Sequence, residues 1–179
     1  SRRQRQMCIR DRNKSFEILS SSSFSLIRKT ITLKRFLFLL FIPISLISQT
    51  NLSTTLANAA ASTENQNIIY NPVYFSIDYP NGDIPSKYGV CTDVVIRAYR
   101  KIGIDLQKVV HEDMIAYFNK YPNIWVLNTT DKNIDHRRVP NIMTFFSRHG
   151  KTLAKSKRAS DYKPGDIVCW SLGSGITHI

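Results

Sequence analysis

The sequence predicts an α+β domain over residues 60–179, with N-terminal helices packed on an antiparallel sheet. Three observations predict it. Residues 89–103 carry apolar positions at helical spacing. Residues 106–121 and 140–149 repeat that period. Residues 165–179 then switch to short apolar strands separated by turns.

In residues 89–103, Val94, Val95, Ala98 and Ile102 form one stripe, and Asp93, Arg97, Arg100 and Lys101 lie off it. Gly103 stands where helices commonly stop. Asp93 in the first turn and the basic residues later suit the helix dipole. Cys91 then opens the helix, facing unpaired amide hydrogens and the positive end of the dipole, a setting that favours a thiolate. Taken alone, a cysteine there is as readily structural, since cysteine is among the most buried residue types.

Upstream, residues 65–79 are rich in Ile, Val, Tyr and Phe and read as extended, ending in the turn Tyr79-Pro80-Asn81-Gly82-Asp83. Downstream, Asp105 reads as the N-cap of a helix over 106–121, with Leu106, Val110, Met114, Tyr117 and Tyr121 inward and Pro122 ending it. Trp125-Val126-Leu127 reads as a short strand and 128–138 as a polar loop. Pro140 opens a third helix with Ile142, Phe145 and Phe146 inward and Gly150 past its end. Residues 151–163 read as a basic surface loop. Lys163-Pro164-Gly165-Asp166 is a turn, Ile167-Val168-Cys169-Trp170 a buried strand and Gly173-Ser174-Gly175 a hairpin turn. Ile176-Thr177-His178-Ile179 opens the next strand. The pattern stops inside an apolar strand, which would leave an unpaired edge. The reading is therefore a C-terminally truncated fragment lacking at least two strands.

The net charge of +12 is uneven across the 179 residues. Residues 1–35 hold ten Lys/Arg against two acids, 36–59 hold neither, and 60–179 hold fifteen against eleven. The folded part is mildly basic and has no basic run interleaved with aromatics, so nucleic acid is not an expected partner. Residues 1–12, SRRQRQMCIRDR, resemble translated sequencing-adapter read-through and are set aside from the fold as non-native. Residues 13–59 read as an upstream segment plus a signal peptide over about 28–59. Arg28, Lys29, Lys34 and Arg35 are its positive region, 36–48 its apolar run, and Ala57-Asn58-Ala59 its cleavage site. A run of thirteen residues is short against the roughly 20 that span a bilayer. The expected destination is the periplasm or the exterior, with membrane contact only through the signal.

A Cys at a helix start, followed by a Gly-Asp turn, a strand, a hairpin and a strand-borne His, is an arrangement that chemistry can use, because a thiol needs a base within hydrogen-bond reach. Gly165-Asp166-Ile167-Val168 and Thr177-His178-Ile179 resemble the corresponding elements of the papain-like, NlpC-like cysteine peptidases, which hydrolyse amide bonds in bacterial cell-wall peptides. More closely, YNPVYFSIDYPNGDIPSKYGVCTDVVIRAYRKIGIDLQK, HEDM, NIDHRRVPN, TFF and PGDIV resemble the exported bacterial family called domain of unknown function 1287, over about residues 65–179. The resemblance implies a papain-like fold with Cys91 as nucleophile, His178 as general base, no cofactor, and peptidoglycan or another peptide as substrate. It also implies a third polar residue, His or Asn, beyond Ile179.

Asp93 is either a dipole partner or a substrate-binding carboxylate. Asp135, His136 and Arg137 could line the cleft, Arg137 holding a substrate carboxylate, or form a solvated loop. Asp166 reads as a turn residue bonding its own backbone. His149 beside Gly150 reads as a helix C-terminal dipole partner. No Cys-x-x-Cys or His-x-x-x-His spacing suggests a metal. Cys169 reads as a buried thiol, the rival being a disulfide to Cys91. Two other functions fit: a non-catalytic envelope-binding module on the same fold, and a thiol acyltransferase.

Overall fold

Helix α2 spans Cys91–Lys101 and begins without a conventional cap. Val90, extended at φ −124°, has no side-chain acceptor, and Asp93 reaches back instead, its Oδ2 accepting from the Val90 amide at 2.7 Å. Helix α3 spans Leu106–Tyr117, and Asp105 caps it by accepting from the Gln107 amide at 3.0 Å. The chain then tightens into a 3-10 turn, Phe118–Lys120. Tyr117, expected inside the stripe, is exposed and carries the Arg148 guanidinium over its ring at 4.2 Å, while Tyr121 stays buried. Helix α4 spans Val139–His149 with Pro140 in its first turn and buries Ile142, Phe145 and Phe146. The computed structural model describes residues 6–10, 52–64 and 66–179. The charged stretch and apolar run expected over 28–48 lie outside the described residues.

The α2 stripe differs from the expectation. Val94 is exposed, and Asp93, expected off the stripe, is buried with Thr92, Ile96, Ala98 and Tyr99. Val95 and Ile102 pack partly against the core. The reason is that α2 is covered on two sides: by the hydrophobic core, and by a 3-10 turn over Asp135–Arg137 whose Arg137 neutralises Asp93. The stretch 128–138, expected as a polar loop, thus ends in a buried turn.

Helix α1 spans Leu52–Ala61 and packs on α2, placing Leu56 and Ala59 in one core with Ile96, Tyr99, Leu106, Val110 and Phe146. The Ala57-Asn58-Ala59 triplet, expected as a cleavage site, lies inside this helix.

The sheet runs in the order β4-β1-β5-β6, antiparallel throughout. Its strands are β1, Gln6–Arg10; β4, Lys151–Leu153; β5, Ile167–Gly173; and β6, Ile176–His178. Residues 1–12 are expected outside the fold, yet Gln6–Arg10 lies between β4 and β5, with Met7 opposite Cys169. Of the extended 65–79 stretch, only β2, Ile69–Tyr70, is a strand, paired in parallel with β3, Tyr88–Gly89. The expected surface loop 151–163 supplies β4 and a 3-10 turn, Ala159–Asp161. The hairpin turn is as expected: Gly173, Ser174 and Gly175 sit at φ 92°, 51° and 78°. Trp125-Val126-Leu127 forms no strand, because Val126 takes φ 52° and breaks the extended run. The architecture is α+β. Among the described residues no helix is long and apolar enough to cross a membrane.

Candidate active site

Two separate elements bring the candidate nucleophile and base to one place. Helix α2 starts at Cys91, leaving its side chain partly exposed. Strand β6 pairs with β5 so that His178 stands opposite Trp170, their ring centroids 5.7 Å apart. Cys91 and His178 line the same cleft, of about 490 Å³.

The cleft is mostly apolar. Leu56, Ala57 and Ala60 of α1 form one wall, Val94, Val95 and Ala98 of α2 the next, and Val168 and Trp170 of β5 the third. The Gly165-Asp166 turn closes one end. Gly165 has φ 88°, and a Cβ there would lie 2.6 Å from the Ser53 carbonyl oxygen, so only glycine lets this turn press on α1. Asp166 accepts from the Lys163 amide at 2.9 Å, which fits the expected turn-capping role. A thiol and an imidazole in an apolar cleft are the parts needed for acyl transfer through a thioester.

Cys169 is buried, 1% exposed, and no disulfide joins it to Cys91. Its neighbours Val168 and Trp170 reach the cleft, as does Ile167 at the start of the strand.

The four residues considered for substrate binding lie buried, apart from this cleft. Arg137 grips Asp93 with both prongs, Nε to Oδ1 at 2.9 Å and Nη2 to Oδ2 at 3.0 Å. Thr92 Oγ1 donates to the Arg137 carbonyl at 3.0 Å. Asp135 accepts from the Asp131 amide and from Arg138 Nη1 at 3.0 Å, and burial raises its pKa despite those bonds. Burial, reinforced by Arg137, lowers the His136 pKa to about 4, so its imidazole is neutral at ordinary pH. None of the four lines the Cys91 cleft. His149, read as a dipole partner of α4, also bonds across to α3, its Nε2 3.0 Å from Asp113 Oδ1.

Sequence reasoning misses the α1 wall and Trp170. Leu52, Leu56, Ala59 and Ala60 do recur at helical spacing, but that pattern overlaps the small-x-small triplet and reads as processing. Trp170 becomes a site residue only through its register with His178. Among the described residues no cluster of three His, Cys, Asp or Glu side chains is placed to hold a metal ion.

The profile of a family described as Domain of unknown function (DUF1287) matches residues 57–179. The uncharacterized protein YijF of Escherichia coli (strain K12) is 51% identical over 131 residues, which is 73% of this chain. The chain spans 64% of that relative's length. No solved structure gives a significant match.

Proposed function

The chain belongs to the family described as domain of unknown function 1287, and from that premise we propose that it is an exported cysteine hydrolase of papain-like, NlpC-like type. It cleaves amide bonds of cell-wall peptides. The observation that carries this reading is the shared cleft of Cys91 and His178, with Cys91 at the first turn of α2.

The chemistry runs in two halves. His178 takes the Cys91 proton, and Sγ attacks the peptide carbonyl carbon. Backbone amide hydrogens at the start of α2 stabilise the developing oxyanion. The C–N bond breaks, the amine leaves with the proton from His178, and a thioester remains on Cys91. Water, deprotonated by His178, then releases the acid and restores the thiol. The apolar walls suit small apolar side chains beside the scissile bond. Export is supported by Arg28, Lys29, Lys34, Arg35 and the apolar run at 36–48. Leu56 and Ala59 belong to the core, so the processing that best preserves the fold lies upstream of α1.

Purified peptidoglycan incubated with the full-length protein tests this, the readout being newly released amines. Cys91→Ala lowers release by about 10³-fold or more, and His178→Ala by about 10²–10⁴-fold. Activity that survives Cys91→Ala sinks the assignment. Sedimentation with the wall without amine release points to a binding module instead.

A further inference from the structure

A second cavity, of about 440 Å³, opens beside the later turns of α2 and shares no lining residue with the Cys91 cleft. Arg97, Arg100 and Lys101 come to it from α2, Asp83 and Ser86 from the loop before that helix, and Thr63 and Gln66 from the stretch after α1. Every lining side chain is polar, whereas the Cys91 cleft is mostly apolar.

Three cationic side chains against one carboxylate leave this cavity with an excess of +2. Arg97 and Arg100 share the carboxylate. Arg97 Nε donates to Asp83 Oδ2 at 3.0 Å and its Nη2 to Oδ1 at 3.3 Å, and Arg100 Nη1 donates to Oδ2 at 2.8 Å. Backbone carbonyls complete the hold: Tyr88 accepts from Arg97 Nη2 at 3.0 Å and Gly82 from Arg100 Nη2 at 2.9 Å. The two guanidinium groups are thus fixed together before any ligand arrives, although cations three residues apart on a helix repel. Lys101, four residues from Arg97, adds a third charge to the same face. Its Nζ donates to the neutral Ser62 hydroxyl, and among the described residues no carboxylate pairs with it. Glu64, beside Thr63 in the chain, does not line the cavity.

The donors left for a ligand are open to solvent. Lys101, Ser86 and Gln66 are exposed. The Lys101 ammonium has three N–H groups and commits one. Among the described residues the Ser86 hydroxyl and the Gln66 side-chain amide have no hydrogen-bond partner. The Arg100 and Arg97 side chains keep 27% and 14% of their surface open.

We infer that this cavity binds a phosphate group carried on a small hydroxylated stem, as in a phosphate monoester of a polyol. The phosphate follows from the charge: a monoester carries about −1.5 to −2 near neutral pH and three acceptor oxygens, where a carboxylate has a single charge and two. Lys101 and Ser86 donate to the oxyanion, and the guanidinium pair supplies the surrounding positive field. Asp83 remains the counter-charge that holds that pair in place. The hydroxylated stem follows from a lining with no apolar side chain and from a volume within the roughly 300–1,000 Å³ of small-molecule sites, more than a bare phosphate fills. The site is independent of the proposed hydrolysis, since it uses neither Cys91 nor His178.

The test is an isothermal titration of the full chain with glycerol 1-phosphate, inorganic phosphate and acetate, beside flotation with phosphatidylcholine vesicles containing phosphatidic acid. The expected result is saturable binding of glycerol 1-phosphate with a Kd on the order of 1 mM, weakening as salt is raised. Acetate binds at least about tenfold more weakly. Lys101→Gln weakens glycerol 1-phosphate binding about tenfold, Lys101→Arg keeps it, and Ser86→Glu weakens it by its added negative charge. Lys108→Gln removes an exposed cation of α3 that does not line the cavity, and leaves binding unchanged. Lys101, Ser86 and Lys108 are all exposed, so these variants keep the fold. Vesicle binding that is lost in Lys101→Gln, with the soluble ester bound too weakly to measure, supports the site and assigns its phosphate to a lipid headgroup. No binding of any phosphate probe overturns the inference. So does equal binding of acetate, and so does an equal loss in Lys101→Gln and Lys108→Gln, which would leave only the general positive charge of the chain.

Discussion

His136 makes the stability of this fold depend on pH in a calculable way. Its folded pKa is about 4, against 6.5 for the free side chain. Burial is the main cause, and Arg137 and Arg100 add to it while Asp105 and Asp83 oppose. Above pH 6.5 the imidazole is neutral in both folded and unfolded chains, and the shift costs nothing. As pH falls below 6.5, the unfolded chain takes up a proton that the folded chain refuses, and stability drops until the folded pKa is reached. At 1.36 kcal/mol per pKa unit, the loss is about 1 kcal/mol at pH 5.5 and about 3 kcal/mol at pH 4.5. That rivals a substantial share of the roughly 5–15 kcal/mol stability of a typical domain. Urea unfolding of the wild type and His136→Gln between pH 7.5 and 4.5 reads it directly. The glutamine side chain does not titrate, and every other titrating group cancels in the difference. The expected result is a variant whose deficit shrinks, or reverses, by about 3 kcal/mol as pH falls. Parallel stability curves would refute the placement of a neutral imidazole in the interior.

Asp93→Asn leaves the Arg137 guanidinium buried without its counter-charge, and the expected loss is about 3–5 kcal/mol by chemical denaturation; Asp93→Leu with Arg137→Met restores most of it, and an Asp93→Asn protein as stable as wild type would show the pair to be energetically idle. Gly82→Ala puts a Cβ 2.0 Å from the Asp78 carbonyl oxygen, in the turn whose Gly82 amide donates to Gln107 Oε1 at 2.8 Å. The expected cost is about 1–3 kcal/mol, seen as a lower urea midpoint, and an unmoved midpoint would mean that the turn relaxes freely.

What can be read from the chain is what local chemistry decides. Asp105 caps α3 through a bond two residues away, and Pro140 opens α4 through its own fixed φ. The hairpin at Gly173-Ser174-Gly175 is legible because glycine takes positive φ without penalty, as Gly173 and Gly175 do on either side of Ser174. Cys91 and His178 are marked by their element context, and the two do line one cleft. What stays hidden depends on distant partners. Asp93 looks like a surface acid until Arg137, 44 residues on, covers it. Gln107 shows no pattern, yet it is fully buried and ties the 78–82 turn to the Lys132 carbonyl. Trp125-Val126-Leu127 has strand composition, but the positive φ of Val126 overrides propensity. Ala57-Asn58-Ala59 reads as a processing signal because small residues serve equally for a protease and for a close helix contact.

The register that sets Trp170 against His178 gives the proposed base an optical neighbour. An indole in van der Waals reach of an imidazole loses emission when the imidazole gains a proton, because the imidazolium accepts an excited-state electron. A change at His178 is thereby placed within reach of the intrinsic fluorescence of Trp170, with no label attached. The other tryptophan, Trp125, is stacked under an arginine of constant charge, so it provides a steady background against which that change stands out.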